Sequence, residues 1–363
     1  MNTSKQTILV TGAAGYLASW VVEQLLRAGH TVHGTVRSLK DARKVAHLLK
    51  LAQQLPGTLH LFEADLLTEQ GFDRAMQHCD TVIHTASPYF LKKSKDPEAQ
   101  LVRPALQGTR NVLNSVNRTE SVKRVVLTSS VVALYNDAKD VGANVAHTVQ
   151  EDDINPNTDI HHNSYAYSKT VAEQAAWQMQ KAQSRWDMVT IHPGAIYGPS
   201  LSARAEATSV DMVIQFLKGS FRTGVPRLWL GVVDVRDVAL AHVKAALLPA
   251  ASKRYIVVGQ NARLLEMAAV MRVDEHGIKN KLPTGEAPKA LMWLIGPLVG
   301  LQRSFVARNV GHPLFFNNSR SKSELGIDYR SLDVTFNDHI EQIVRDGLLA
   351  APPQKGRPDE KLA

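Results

Sequence analysis

A single cysteine, Cys79, is the only thiol in this 363-residue chain, so no disulfide can form within it. That usage fits a reducing compartment, and a cytoplasmic setting is the expectation. Aromatic residues are scarce at 6%. No basic run interleaves with them, which argues against a nucleic-acid surface. Long apolar runs are also missing. The most apolar stretch, ALMWLIGPLVGL at 290–301, contains Gly296 and Pro297. As a helix it would rise about 18 Å against a hydrocarbon core of ~30 Å, so no transmembrane segment is expected. It reads as a buried or pocket-lining helix, with peripheral membrane contact as the alternative. The opening, MNTSKQTILVTG, lacks a basic region followed by a long apolar stretch, so no signal peptide is read there. The closing segment, 351–363, reads as a disordered tail.

A hydrophobic content of 44% is ample for a sizeable core. The net charge of +8 is scattered, which suits an anionic cofactor or substrate. Short apolar runs alternate with helical stretches through the first two thirds. TILV, TVHGTV, LHLF, TVIHT, RVVLTS and MVTIH read as strands. Between the first two, Leu17, Val21, Leu25 and Ala28 recur at helical spacing. This alternation predicts an α/β fold: a Rossmann-type, doubly wound parallel sheet with helices on both faces. After residue 193 the rhythm changes. HPGAIYGPS reads as a loop, followed by a helix near 209–218, a short RLWL strand, a helix DVRDVALAHVKAALL and a strand RYIVV. The expected division is a cofactor-binding domain at 1–193 and, at 194–350, mainly a smaller substrate-binding lobe. Some of its segments are expected to return to the sheet.

The first strand runs into VTGAAGYLASW. Glycine at 12 permits a tight turn, glycine at 15 lets backbone approach a pyrophosphate, and a small residue at 18 lets the helix pack on the sheet. Free N–H groups at the helix start then favour an anion. Gly12, Ala14, Gly15, Tyr16 and Leu17 are the candidate contacts. The second strand is followed by Arg37, with no acid before Asp41. A planar guanidinium there suits a 2′-phosphate, and Lys44 stands near enough to help, so the cofactor reads as NADP(H). Asp65 and Leu66, after the third strand, are candidates to meet the adenine ring; the other reading of Asp65 is a helix cap.

Two tyrosines precede one lysine in SYAYSKTVAEQAAW, residues 164–177. Helical spacing puts Tyr165 and Lys169 on one face and turns Tyr167 away. Ser129 and Ser130 end the RVVLTSS strand, at the sheet edge where open α/β folds bind ligands. Free tyrosine ionises near 10. Bringing that to ~7 takes about 4 kcal/mol of preferential stabilisation, within reach of a desolvated ammonium. Ser130, Tyr165 and Lys169 are therefore the candidate catalytic set. Ser130 would hold the substrate oxygen, Tyr165 would protonate it, and Lys169 would tune Tyr165 and bind the nicotinamide ribose. His161 and His162 lie just before this helix, but no thiolate or acid pattern accompanies them, and no metal site is read there.

These stretches, with HTASPY, HPGAIYGP and VDVRDVALAHV, resemble the extended short-chain dehydrogenase/reductases. Within them the chain is similar to the dihydroflavonol reductase, cinnamoyl-CoA reductase and aldehyde reductase group. The resemblance spans residues 8 to about 245 and implies NADPH-dependent reduction of an apolar carbonyl compound. It puts the catalytic serine on Ser130, leaving Ser129 a strand-end packing or backup residue. Thr85, Ala86 and Ser87 then lie along the cofactor, and Pro193 and Gly194 beside the nicotinamide. Helices flanking the sheet often pair in this superfamily, so a homodimer is compatible with the chain. Two other functions use the same elements. A nucleotide-sugar epimerase or dehydratase would retain NAD through its cycle. A non-catalytic NADP(H)-binding sensor would bind without turnover.

Overall fold

The computed structural model describes residues 5–87, 96–141, 148–155, 157–203, 208–251, 253–271 and 281–349. The tail read at 351–363 lies outside them. Seven strands form the main sheet: β1 (Thr7–Thr11), β2 (Thr31–Val36), β3 (Thr58–Glu63), β4 (Thr81–His84), β5 (Arg124–Thr128), β6 (Asp187–Pro193) and β7 (Lys253–Val257). All pair in parallel, in the order β7-β6-β5-β4-β1-β2-β3. Helices cover both faces, so the inner strands carry apolar residues on both sides. All four residues of β4 are buried, whereas the edge strand β3 alternates with solvent.

The largest apolar cluster joins β1, the helix Tyr16–Arg27 and the helix Val235–Leu247, through residues such as Val10, Leu25, Val238 and Tyr255. Chain beyond residue 193 thus supplies both a covering helix and the edge strand β7. A second cluster lies in the later part. It is built from Val213, Phe216, Met267, Phe336 and Ile340 around a three-stranded sheet of Ala195–Tyr197, Trp229–Asp234 and Gln260–Arg263.

Three expectations from the sequence are corrected. The HPGAIYGPS stretch is not all loop, because Ala195–Tyr197 is a strand paired in parallel with Val232–Asp234. The strand expected at RLWL begins at Trp229 and runs to Asp234. The apolar 290–301 stretch is a helix, Lys289–Ile295, followed by one 3₁₀ turn, Gly296–Val299. It is mostly not buried: Met292 faces inward, while Trp293, Leu294 and Leu298 are 46%, 62% and 87% exposed. Glycine and proline end the helix after seven residues, too few to turn every apolar side chain toward one core.

The two sheets meet where β6 passes into Ala195–Tyr197. A Cβ on Gly194 would land on the Gly231 carbonyl, 2.8 Å from its carbon, and 3.1 Å from a Val258 methyl. The Gly194 N–H donates to the Val257 carbonyl at 3.2 Å, which pins it there. Gly194→Ala should therefore lower the unfolding free energy by ~1–3 kcal/mol, the usual cost of overpacking. Urea unfolding should show a lower midpoint with an unchanged slope. A parental midpoint would mean that the seam yields without strain.

Candidate active site

The C-terminal ends of β1, β4 and β5 form one edge. At β1, Gly12 has φ +65°, and a Cβ there would sit 3.1 Å from that of Ala86. Only glycine lets the turn approach β4 so closely. Thr11 fastens the two strands together. Its Oγ1 accepts the N–H groups of Thr85 (3.1 Å) and Ala86 (3.0 Å), and the Thr85 hydroxyl donates to the Thr11 carbonyl at 2.5 Å. With both lone pairs used, the Thr11 hydroxyl donates its proton to His84 Nδ1 at 2.8 Å. His84 is accordingly neutral: burial, with the Lys169 charge, pushes its pKa down to about 3.

Gly15 is exposed and precedes the helix Tyr16–Arg27 without any side-chain cap. The first N–H groups of that helix therefore lack a capping acceptor. Ala14 and Leu17 are half-buried, and Ala18 packs against the sheet. The side chain of Tyr16 points elsewhere, its hydroxyl donating to the Gly198 carbonyl at 2.6 Å. Trp20 Nε1 holds the adjacent Pro199 carbonyl at 2.8 Å.

After β2, Arg37 is exposed and makes no ion pair or side-chain hydrogen bond among the described residues. Asp41 is already engaged: it caps the helix Ala42–Gln54 through Arg43 N (3.2 Å) and pairs with the Arg43 side chain. Lys44 is exposed on the first turn of that helix. Asp65 accepts the Leu67 N–H at 2.8 Å, a local turn that uses one of its oxygens. Leu66 packs over Gly108, and Asn111 Nδ2 donates to its carbonyl at 2.7 Å.

Helix Ile160–Lys181 carries the Tyr–Lys pair. Asp159 caps its first turn by accepting the N–H groups of His161 and His162. At Asn163 the backbone leaves helical geometry (φ −146°, ψ 90°), and Asn163 Oδ1 accepts the Ala166 N–H at 3.1 Å. Asn163 thus restarts the helix and puts Tyr165 in the first turn of the new segment, where the helix dipole favours negative charge. Tyr165 and Tyr167 are both half-buried, while Lys169 is buried at 7% exposure. The Lys169 ammonium lies 3.4 Å from the Thr128 carbonyl at the end of β5. Burial pushes its pKa down to about 8, against an upward pull from Glu173.

Ser130 is buried at 8% exposure, and its Oγ accepts the Val132 N–H at 3.4 Å. Ser129 turns the other way and donates to Glu173 at 2.5 Å. A cleft along this edge brings together His84, Ala86, Ser87, Thr128, Ser129 and Lys169. Pro193, at the end of β6, is buried. His162 bonds Asp137 at 2.9 Å, tying the helix start to the Arg308 and Asn309 region, which holds the same carboxylate. Glu173 is the residue that sequence reasoning passed over. The available signal was an acid four residues beyond Lys169 on a buried helix face.

Residues 8–259 match the family model described as the NAD dependent epimerase/dehydratase family. A cinnamoyl-CoA reductase from Medicago truncatula is 36% identical over 339 residues, covering 93% of this chain and 95% of that protein. A tetraketide alpha-pyrone reductase from Arabidopsis thaliana is 35% identical over 364 residues, covering 96% and 99%. Among solved structures, the yeast methylglyoxal/isovaleraldehyde reductase complexed with NADPH superposes with a TM-score of 0.77 at 26% identity, covering 94% of this chain and 99% of that one.

Proposed function

Because this chain belongs to the NAD dependent epimerase/dehydratase family, we propose that it reduces a small apolar carbonyl compound to an alcohol with NADPH, and that Ser130, Tyr165 and Lys169 act at the reacting oxygen. The observation that carries the reading is a buried ammonium, Lys169, one helical turn from Tyr165 and beside the strand end that bears Ser130. A lysine is rarely buried without a charge-dependent task. The three similar proteins named above are reductases by name.

Three features suit the cofactor. The helix start after Gly15 has no side-chain cap, Arg37 at the end of β2 is exposed and makes no ion pair among the described residues, and the cleft at β4 and β5 reaches Lys169. Ala14, Tyr16 and Leu17 would take the pyrophosphate through backbone N–H groups, while Gly12 and Gly15, whose own N–H groups bond Thr35 Oγ1 and the Gly12 carbonyl, would let the backbone come close to it. Arg37, with Lys44, would take the 2′-phosphate. Asp65 and Leu66 would flank the adenine, and Thr85, Ala86, Ser87, Pro193 and Gly194 would line the remainder. When bound, NADPH supplies the hydride. Ser130 holds the carbonyl oxygen with its hydroxyl, and Tyr165 gives that oxygen a proton. Lys169 and the helix N-terminus both favour the phenolate left behind.

We assign cofactor binding to residues 1–193 and substrate contacts mainly to 194–350. The second apolar cluster supports the latter as a body with its own core. A cytoplasmic setting suits the single cysteine, which is fully buried.

Tyr165→Phe keeps the ring and removes the transferable proton. It should lower kcat by ~10²–10⁴-fold while NADPH still binds. Tyr167→Phe, which removes a hydroxyl from another side of the same helix, should keep most of the activity. The reverse ranking in steady-state assays would remove the proposed catalytic set. Arg37→Ala should raise the NADPH dissociation constant about tenfold or more, as loss of a charge-assisted contact implies, and leave that of NADH nearly unchanged. Equal weakening of both, measured by titration of cofactor fluorescence, would make Arg37 a structural residue.

A further inference from the structure

We infer that Glu173 is a positioning residue of the active site: its carboxylate, fixed by donors from three strands and its own helix, keeps Lys169 charged. The inference rests on the Tyr165–Lys169 reading given above. Residues 165, 169 and 173 are spaced by four and share one face of the helix. Two of the three are deeply buried, Lys169 at 7% and Glu173 at 2% exposure.

A buried carboxylate is costly unless its lone pairs are filled. Here they are. Oε2 accepts from the Ser129 hydroxyl at 2.5 Å and from His192 Nε2 at 2.8 Å. Oε1 accepts from Arg254 Nε at 2.8 Å and from Trp177 Nε1 at 3.2 Å. Ser129 follows β5, His192 lies on β6 and Arg254 on β7, so three adjacent strands converge on one side chain. Arg254 is itself held by the carbonyls of Glu151 and Asp153, at 3.1 and 2.9 Å. Burial pushes the Glu173 carboxyl up, but His192, Arg254 and Ser129 outweigh it and hold it down to about 2. An ionised carboxylate only accepts, so His192 presents Nε2–H to it. Its Nδ1 has no partner among the described residues.

None of these bonds goes to Lys169, whose ammonium donates to the Thr128 carbonyl. Glu173 therefore acts on the ammonium through space, across one helical turn in a water-poor interior where charges act strongly. The groups facing the pair can be named. His84 on β4 is neutral and lies toward Lys169. His192 and Arg254 lie on the far side of the carboxylate, and Glu151, buried behind His192, accepts the Ile256 N–H at 3.3 Å. Glu173 is thus the anion nearest the lysine on its own helix face. Burial disfavours the ammonium and Glu173 favours it. Removing the carboxylate therefore lowers the Lys169 pKa further, and the charge that supports the Tyr165 phenolate is lost at a lower pH.

The test is the pH profile of kcat/KM for the NADPH-dependent reduction, measured on the full chain with Glu173→Gln. Its alkaline limb should move down by about one pH unit or more, the size expected when a neighbouring opposite charge is removed. A limb that stays in place while activity falls would overturn the inference and leave Glu173 a packing residue. If Glu173→Gln does not fold, Glu173→Asp retains the charge with a shorter reach. Its limb should stay near the parental one, and a downward displacement like that expected for glutamine would also overturn it. Tyr165→Phe, assayed alongside, separates this inference from the reading beneath it. Parental turnover in that variant would refute the site itself, whereas a dead Tyr165→Phe with a stationary Glu173→Gln limb would refute only the role of Glu173.

Discussion

The proposed active edge depends on one buried ammonium. Lys169 is placed where water is scarce, and its pKa falls to about 8 as a result. A charge so near its own neutralisation survives only because the surrounding fold is arranged for it. The Thr128 carbonyl accepts from it, and Glu173 lies one turn away. His84 on β4 is kept neutral by burial and by the Lys169 charge itself. One helix carries Lys169 and Glu173, and three strands supply Thr128, His84 and Thr11.

The same logic orders the sheet. β5, β6 and β7 bring Ser129, His192 and Arg254 to Glu173, and β1 with β4 bring the glycine turn to Ala86. The glycine turn and the Tyr–Lys helix therefore both lie along the strand ends. Chain from beyond residue 193 is part of this support, because β7 carries Arg254 and the helix Val235–Leu247 packs on the first helix. Gly194 marks the seam where the main sheet hands over to the second core.

Much of this was legible from local spacing. The turn at 12–15, the arginine after β2, the serines at the end of β5 and the Tyr165–Lys169 interval are short-range patterns whose physics needs no distant partner. β2 matches its sequence-read bounds, and the other main strands differ by one residue at one or both ends. What was missed depends on distant chain. Ala195–Tyr197 is too short to read as a strand and becomes one only by pairing with Trp229–Asp234. The spacing of Glu173 was visible, but its donors lie on strands that span more than a hundred residues of sequence. The 290–301 stretch misled because apolar composition suggested burial, while a broken helix leaves Leu294 and Leu298 in solvent.

The proposed site puts the cofactor's reactive end at Lys169 and Tyr165 and the opposite end at Arg37. A crystal structure of the protein with NADPH bound tests this directly. The expected arrangement has the Lys169 ammonium on the nicotinamide ribose, the Tyr165 hydroxyl beside the nicotinamide ring, and the Arg37 guanidinium on the 2′-phosphate. A nicotinamide facing Tyr167, or a 2′-phosphate held without Arg37, would contradict it.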